Sequence, residues 1–200
     1  MVDLVIWSGG YDSTLILDRL CSSHEKTVWA FSLVWDMVNE LKIKQEEKAR
    51  SRYLKYAKKK GYEFCHNTIK VGSNMGAPSE GLPQALAWLC YVLPYLPQES
   101  RLYFGYHRGD DFWRYRHQAE QIIKQACTLG DRSTELMYPL ELQSKCEIVE
   151  ECGERGIPDS CMWACECPVK KGKKILPCGT CQPCITLKLA RYEKVLRRDA

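Results

Sequence analysis

The sequence predicts an α/β protein: a five-stranded parallel sheet with helices on both faces, followed by a small helical region built around cysteines. Three observations predict it. Short apolar or β-branched runs alternate with segments of helical spacing, the pattern of parallel strands joined by crossover helices. The first run, Val2–Trp7, carries a single charge, as a strand buried on both faces should. Six of the twelve cysteines crowd into residues 161–184, whereas the others are scattered.

Taken in order, the strand at Val2–Trp7 leads into a helix from Ser13 to Ser23, with Leu15, Ile16 and Leu20 at helical spacing. Thr27–Trp35, β-branched and aromatic, reads as a second strand. Glu40–Lys60 reads as a long charged helix stopped by Gly61, its Lys/Arg face solvated. Glu63–Val71 is expected to be the third strand. A loop follows over Val71–Pro83, rich in Gly, Ser, Asn and Pro. Gln84–Tyr95 is expected to be an apolar helix, Arg101–Gly105 a fourth strand, Phe112–Leu129 a helix and Glu135–Leu140 a fifth strand. Ser144-Lys145-Cys146-Glu147 has capping-box spacing and opens a helix running to about Arg155. The division expected is an α/β domain over residues 1–143 and a C-terminal region over 144–200, packed as one unit.

Two hundred residues suffice for one substantial core. A 45% apolar and 27% charged composition is that of an ordinary globular protein. No apolar run is long enough to span a bilayer, and the N-terminus lacks the features of a secretory signal, so a cytoplasmic location is expected and a membrane partner is not. The net charge of +4 suits an anionic ligand. Being so small, it disfavours nucleic acid as a partner.

In parallel sheets, ligands sit beyond the carboxyl ends of the strands near the switch point. That rule selects the residues after Trp7, Trp35 and Phe104. After Trp7 comes Ser8-Gly9-Gly10-Tyr11-Asp12-Ser13. Its glycines permit a concave nest of amide N–H groups, and the following helix aims its positive end at the same space. Ser8, Ser13 and Thr14 add hydroxyls. The loop has no lysine, which sets it apart from the Walker-type loop that handles a transferred γ-phosphate. It suits a pyrophosphate released as ATP becomes AMP.

Cys178-Gly179-Thr180-Cys181-Gln182-Pro183-Cys184 places three thiols at three-residue intervals, the spacing of zinc knuckles. Tetrahedral Zn²⁺ needs a fourth ligand, for which Cys161, Cys165 and Cys167 are available. A redox pair or an iron–sulfur cluster would use the same thiolates. Ile185, Leu189, Tyr192 and Leu196 follow at helical spacing, so the last helix is expected to dock on the body through them.

The loop matches the signature of the PP-loop ATP pyrophosphatases, and the chain resembles that superfamily. Together with Ser160-Cys161, Cys178, Cys181 and Cys184, and with Pro139-Leu140 followed by Lys145-Cys146-Glu147-Ile148-Val149, it is similar to the 7-cyano-7-deazaguanine synthases (QueC family). The resemblance implies ATP binding by Ser8, Gly9, Gly10, Tyr11, Asp12, Ser13 and Thr14, with Mg²⁺. It implies catalytic roles for Asp12, Ser13 and Lys145, and Zn²⁺ on Cys161, Cys178, Cys181 and Cys184. The reaction implied converts 7-carboxy-7-deazaguanine and ammonia to the nitrile, or the related amide, at the cost of ATP. A homodimer is left open. The segment Gly105–Arg116 departs from the family's order, although Asp110 and Asp111 remain candidates for substrate or Mg²⁺ and His107 stands beside them. That departure keeps other acceptors of PP-loop adenylation in view, including tRNA, a protein or an amide, as well as a nucleotide-binding module without turnover.

Overall fold

The computed structural model describes residues 1–23, 27–35, 39–71 and 83–198. Five strands, β1 (Val2–Ile6), β2 (Val28–Trp35), β3 (Cys65–Val71), β4 (Glu99–Tyr103) and β5 (Ser133–Met137), form one sheet in the order β3-β2-β1-β4-β5, every pair parallel. The expected five-stranded parallel sheet is what the chain forms. β1 is central, with the chain winding outward first through β2 and β3, then through β4 and β5. The switch point therefore lies between β1 and β4.

Alternation along β1 divides the core. Val5 and Trp7 face one layer with Leu15, Tyr53, Cys146 and Ile148. Leu4 and Ile6 face the other, with Leu86, Leu89, Phe104, Phe112 and Ile123. Each such side chain, fully removed from water, contributes about 1.5–3 kcal/mol. Asp3, the one charge in β1, is buried but not alone: the Arg101 guanidinium on β4 grips both its oxygens at 2.8 Å.

The first layer holds α1 (Tyr11–Ser23), α2 (Glu40–Lys60), α5 (Lys145–Glu154) and α6 (Gln182–Arg198); α3 (Gln84–Val92) and α4 (Arg116–Gly130) cover the other face. α2 spans the expected residues and ends on Gly61 at φ +74°. Its predicted solvated face is only partly so, because Lys42 and Arg50 are buried. α5 opens with a complete Ser144/Glu147 capping box. Residues from 144 onward contribute Cys146, Ile148, Cys161 and Ala190 to the same core as α1. The expected loop over Val71–Pro83 lies almost wholly outside the described residues, as do the first residues after Trp35.

Two features depart from expectation. Ile185, Leu189, Tyr192 and Leu196 are 42–65% exposed, and α6 instead docks through Ala190 and Leu187. Helical spacing of apolar residues identified a stripe, but the small Ala190 is what lets α6 approach α5 closely. Between Cys165 and Cys178 the chain forms an antiparallel hairpin, β6 (Val169–Lys171) and β7 (Lys174–Leu176), turning at Gly172 with φ +59°. Among the described residues, no helix is long and apolar enough to cross a membrane.

Candidate active site and four-thiol cluster

The phosphate loop occupies the switch point. Gly9 has φ +90°, and a Cβ there would lie 3.1 Å from Arg50 Cγ and 3.3 Å from the Glu46 carbonyl. Only glycine fits both the backbone conformation and the space. The loop is held by its carbonyls: Ser32 Oγ donates to Trp7 O at 2.8 Å, Arg50 Nη1 to Ser8 O at 2.7 Å and Trp163 N to Gly9 O at 2.8 Å. Thr14 N–H begins the helical ladder on Gly10 O. The N–H groups of residues 11–13, in the first turn, precede that ladder and stand at the positive end of α1. Such an arrangement offers donors to an anion while its acceptors are already satisfied.

A cleft of about 770 Å³ opens over this loop. Ser8, Gly10, Tyr11 and Asp12 form part of its wall. Residues His107–Asp111 enter after β4, Lys145 from the start of α5, and Trp88 and Trp163 supply two indoles. Gly105 lets β4 approach this closely, since a Cβ there would stand 3.0 Å from Ser13 N. Ser8 and Ser13 share a hydroxyl hydrogen bond at 3.1 Å.

Lys145 Nζ donates to Asp12 Oδ2 at 2.5 Å, joining residues 133 positions apart. Asp12 Oδ1 is buried and accepts no hydrogen bond. An acceptor so placed fits a hard divalent cation such as Mg²⁺, whose ligands are oxygens. Burial, more than any other influence, raises the pKa of Asp110, while His107 at 4.0 Å opposes the rise. Thr14 departs from expectation: it is fully buried, and its hydroxyl accepts from Trp7 Nε1 at 3.0 Å, so it stabilises the loop from beneath rather than lining the cavity. Tyr11 spends its hydroxyl on Asp159 and Arg191, tying α1 to the C-terminal region.

Sequence reasoning missed the α2 cations. Lys42 pairs with Glu46 and with Glu166, Arg50 lies 4.0 Å from Glu46, and Lys42, Glu46 and Glu166 all line the cleft. Their spacing of four residues, Lys42-Glu46-Arg50, was the available signal.

The sulfurs of Cys165, Cys178, Cys181 and Cys184 all lie within 4.8 Å of one another. Cys161 is not among them: it is buried in the core, and Cys165 takes the fourth position. Backbone N–H groups of Thr180 and Cys181 point at Cys178 Sγ from 3.4 and 3.3 Å, and that of Cys178 at Cys165 Sγ from 3.2 Å. The Thr180 and Cys181 amides bring the Cys178 thiol down to about 6, favouring the thiolate that metals bind. Tetrahedral zinc with bonds of about 2.3 Å places its sulfurs roughly 3.8 Å apart; the Cys165–Cys178 and Cys165–Cys181 separations are 3.6 and 3.9 Å. A cubane iron–sulfur cluster holds its thiolates on the outside of a four-iron core and needs a wider arrangement. The donor set fits zinc, with no coordination position left open.

No family model matches the chain, and no curated protein matches it. Among solved structures it is similar to the U34-tRNA thiolase NcsA from Methanococcus maripaludis with its 4Fe-4S cluster (TM-score 0.48, 12% identity, 99% of this chain and 66% of that one). It is also similar to an NMN synthetase from Francisella tularensis (0.40, 13%, 80% and 63%). A third is a predicted subunit of tRNA methyltransferase from Methanocaldococcus jannaschii (0.43, 14%, 89% and 96%). The chain thus spans under two thirds of the length of the first two. Two of the three are named for tRNA, and on that finding the expectation that disfavoured nucleic acid as a partner is withdrawn. The described residues form a PP-loop-type parallel sheet, with the S-G-G-x-D-S loop at the carboxyl end of its central strand and a four-cysteine subdomain beside it.

Proposed function

We propose that the chain is an AMP-forming, ATP-dependent ligase that activates a carboxylate on a 7-deazaguanine and passes it to ammonia. The observation that carries this reading is the loop held by its carbonyls at the start of α1, next to the Lys145–Asp12 pair. Donors at a helix N-terminus bind the β- and γ-phosphates as a unit, and the loop lacks the lysine of loops that handle a transferred γ-phosphate. Asp12 Oδ1 is the residue atom that would hold Mg²⁺, which when bound would supply positive charge to offset that of the phosphates. Lys145 stands where it orients Asp12 and offsets charge gathering on the phosphates. Trp88 and Trp163 line the same cleft and offer indole faces for stacking on a ring, and Asp110 and Asp111 supply acceptors for ring N–H groups.

In the reaction, the acceptor carboxylate attacks the α-phosphorus, and the bond to pyrophosphate breaks. Ammonia then displaces AMP to leave the amide. A second ATP then adenylates the amide oxygen with loss of pyrophosphate, and the nitrogen gives up its two protons as the C–O bond to AMP breaks, leaving the nitrile. Zinc on Cys165, Cys178, Cys181 and Cys184 serves the fold, since four thiolates leave it no site for substrate.

The test supplies 7-carboxy-7-deazaguanine, ammonia and ATP, and follows AMP together with the mass of the acceptor. A nitrile or amide product formed with AMP supports the reading; no AMP dependent on that substrate overturns the acceptor. The altered order of Gly105–Arg116 favours one second reading, a macromolecular acceptor, for which AMP release would require that macromolecule.

A further inference from the structure

We propose that the β6–β7 hairpin is a docking surface for the phosphate backbone of a nucleic acid. Residues 167–192 contain Lys170, Lys171, Lys173, Lys174, Lys188 and Arg191 and no acidic residue. This stretch carries +6, which leaves the rest of the chain at −2 against the overall +4. Charge separated so unevenly along a chain marks a surface for a polyanion.

Four of these cations stand within five residues on β6, its turn and β7. All four are exposed, and among the described residues none of the four makes an ion pair. Lys171 and Lys174 are direct partners across the ladder. Like charges so placed, with Cβ atoms about 5 Å apart, repel each other and weaken the hairpin. An anion between them converts that repulsion into attraction.

The hairpin is a fixed feature. At its base the Cys178 N–H donates to Cys165 Sγ, and both cysteines belong to the four-thiol cluster. Glu166 before the hairpin and Gln182-Pro183 after it line the cleft. The lysines of β6 therefore lie within a few residues along the chain of Glu166 at the cleft. A strand of nucleic acid held there passes the mouth of the site.

Lysine ammonium groups act as point charges and read the backbone, so binding is independent of base sequence. An anionic lipid surface is disfavoured by the hairpin's apolar content. Val169 and Leu176 are its exposed large apolar residues, at 39% and 38%, and no aromatic residue lies between Cys167 and Cys178.

The experiment titrates the full chain, with zinc bound, against labelled single-stranded RNA and DNA over a series of salt concentrations. The comparison is a variant carrying Lys170→Gln, Lys171→Gln, Lys173→Gln and Lys174→Gln. A control carries Lys58→Gln and Lys59→Gln on the exposed side of α2. The hairpin variant should retain zinc and its melting temperature yet bind about tenfold or more weakly. Its log–log salt slope should fall by about 3, as four lost contacts require on a single strand. The control should match the unaltered protein. No binding at low salt, an unchanged slope in the hairpin variant, or binding to anionic vesicles without binding to either oligonucleotide would overturn the proposal. Binding is read without turnover, so the outcome is separate from that of the ligase reading.

Discussion

Replacing Lys145 with methionine tests whether the Lys145–Asp12 pair organises the site. The substitution keeps most of the side-chain volume and removes one charge-assisted hydrogen bond of 2.5 Å. Asp12 Oδ1 already lacks a donor, so losing Nζ leaves both oxygens without one, in a carboxylate whose side chain is 21% exposed. A hydrogen bond to a charged group contributes about 1.5–3 kcal/mol, and breaking a fully buried pair costs roughly 3–5 kcal/mol. The partial exposure places the cost at about 2–3 kcal/mol. For a chain this long, that lowers the melting temperature by roughly 4–12 °C. Asp12→Asn in the Lys145→Met background removes the stranded charge, so the double variant should be more stable than the sum of the singles by about 1 kcal/mol or more. AMP formation should fall about 10²–10³-fold in Lys145→Met, the usual cost of one electrostatic stabiliser, and should not return in the double variant. Thermal melts and a nucleotide-product assay on the four proteins read both effects. Additive stabilities, or unchanged AMP formation in Lys145→Met, would refute the reasoning.

Other expectations follow from single contacts. Cys165→Ser should lose bound zinc, whereas Cys161→Ser should keep it; metal analysis of the two purified proteins decides the fourth ligand. Gly105→Ala should cost about 1–3 kcal/mol and weaken ATP binding, because its Cβ would press on Ser13 N at 3.0 Å and shift the first turn of α1. The check is calorimetric titration with ATP. The Arg19 guanidinium beside Glu151 holds its carboxyl at about 2, below the ordinary 4.5. This depressed value stabilises the fold fully above about pH 4.5, and the contribution disappears as the pH falls through about 2. After allowance for solvent screening it amounts to about 1–2 kcal/mol. Glu151→Gln should flatten denaturant stability over that acid range; an unchanged profile would contradict the assignment.

Much of the site was readable because its determinants are local. The buried run before Ser8 and the two glycines after it specify strand, turn and helix without distant help, and the Ser144 capping box does the same for α5. What was misread depends on how elements meet. Helical spacing made Ile185, Leu189, Tyr192 and Leu196 look like a docking face, yet close approach to α5 selects the small Ala190. Thr14 looked like a cavity hydroxyl until the indole of Trp7, seven residues back, claimed it. Cys161 and Cys165 differ by one helical turn in sequence but by their surroundings in space: the former follows Met162 and Ile157 into the core, and the latter turns toward the knuckle. The buried cations of α2 escaped notice because a charged helix reads as solvated unless something is known to cover it. Here Ser8 and the Glu166 segment cover it.

The loop at Ser8–Ser13 remains the centre of the account, and its chemistry is decided by which phosphate bond breaks. The most direct measurement incubates the zinc-bound protein with α-labelled ATP, Mg²⁺, ammonia and candidate acceptors, including 7-carboxy-7-deazaguanine, and separates the labelled products. Labelled AMP should appear in step with pyrophosphate, depend on an acceptor and be lost in Lys145→Met. Labelled ADP with free phosphate would contradict it.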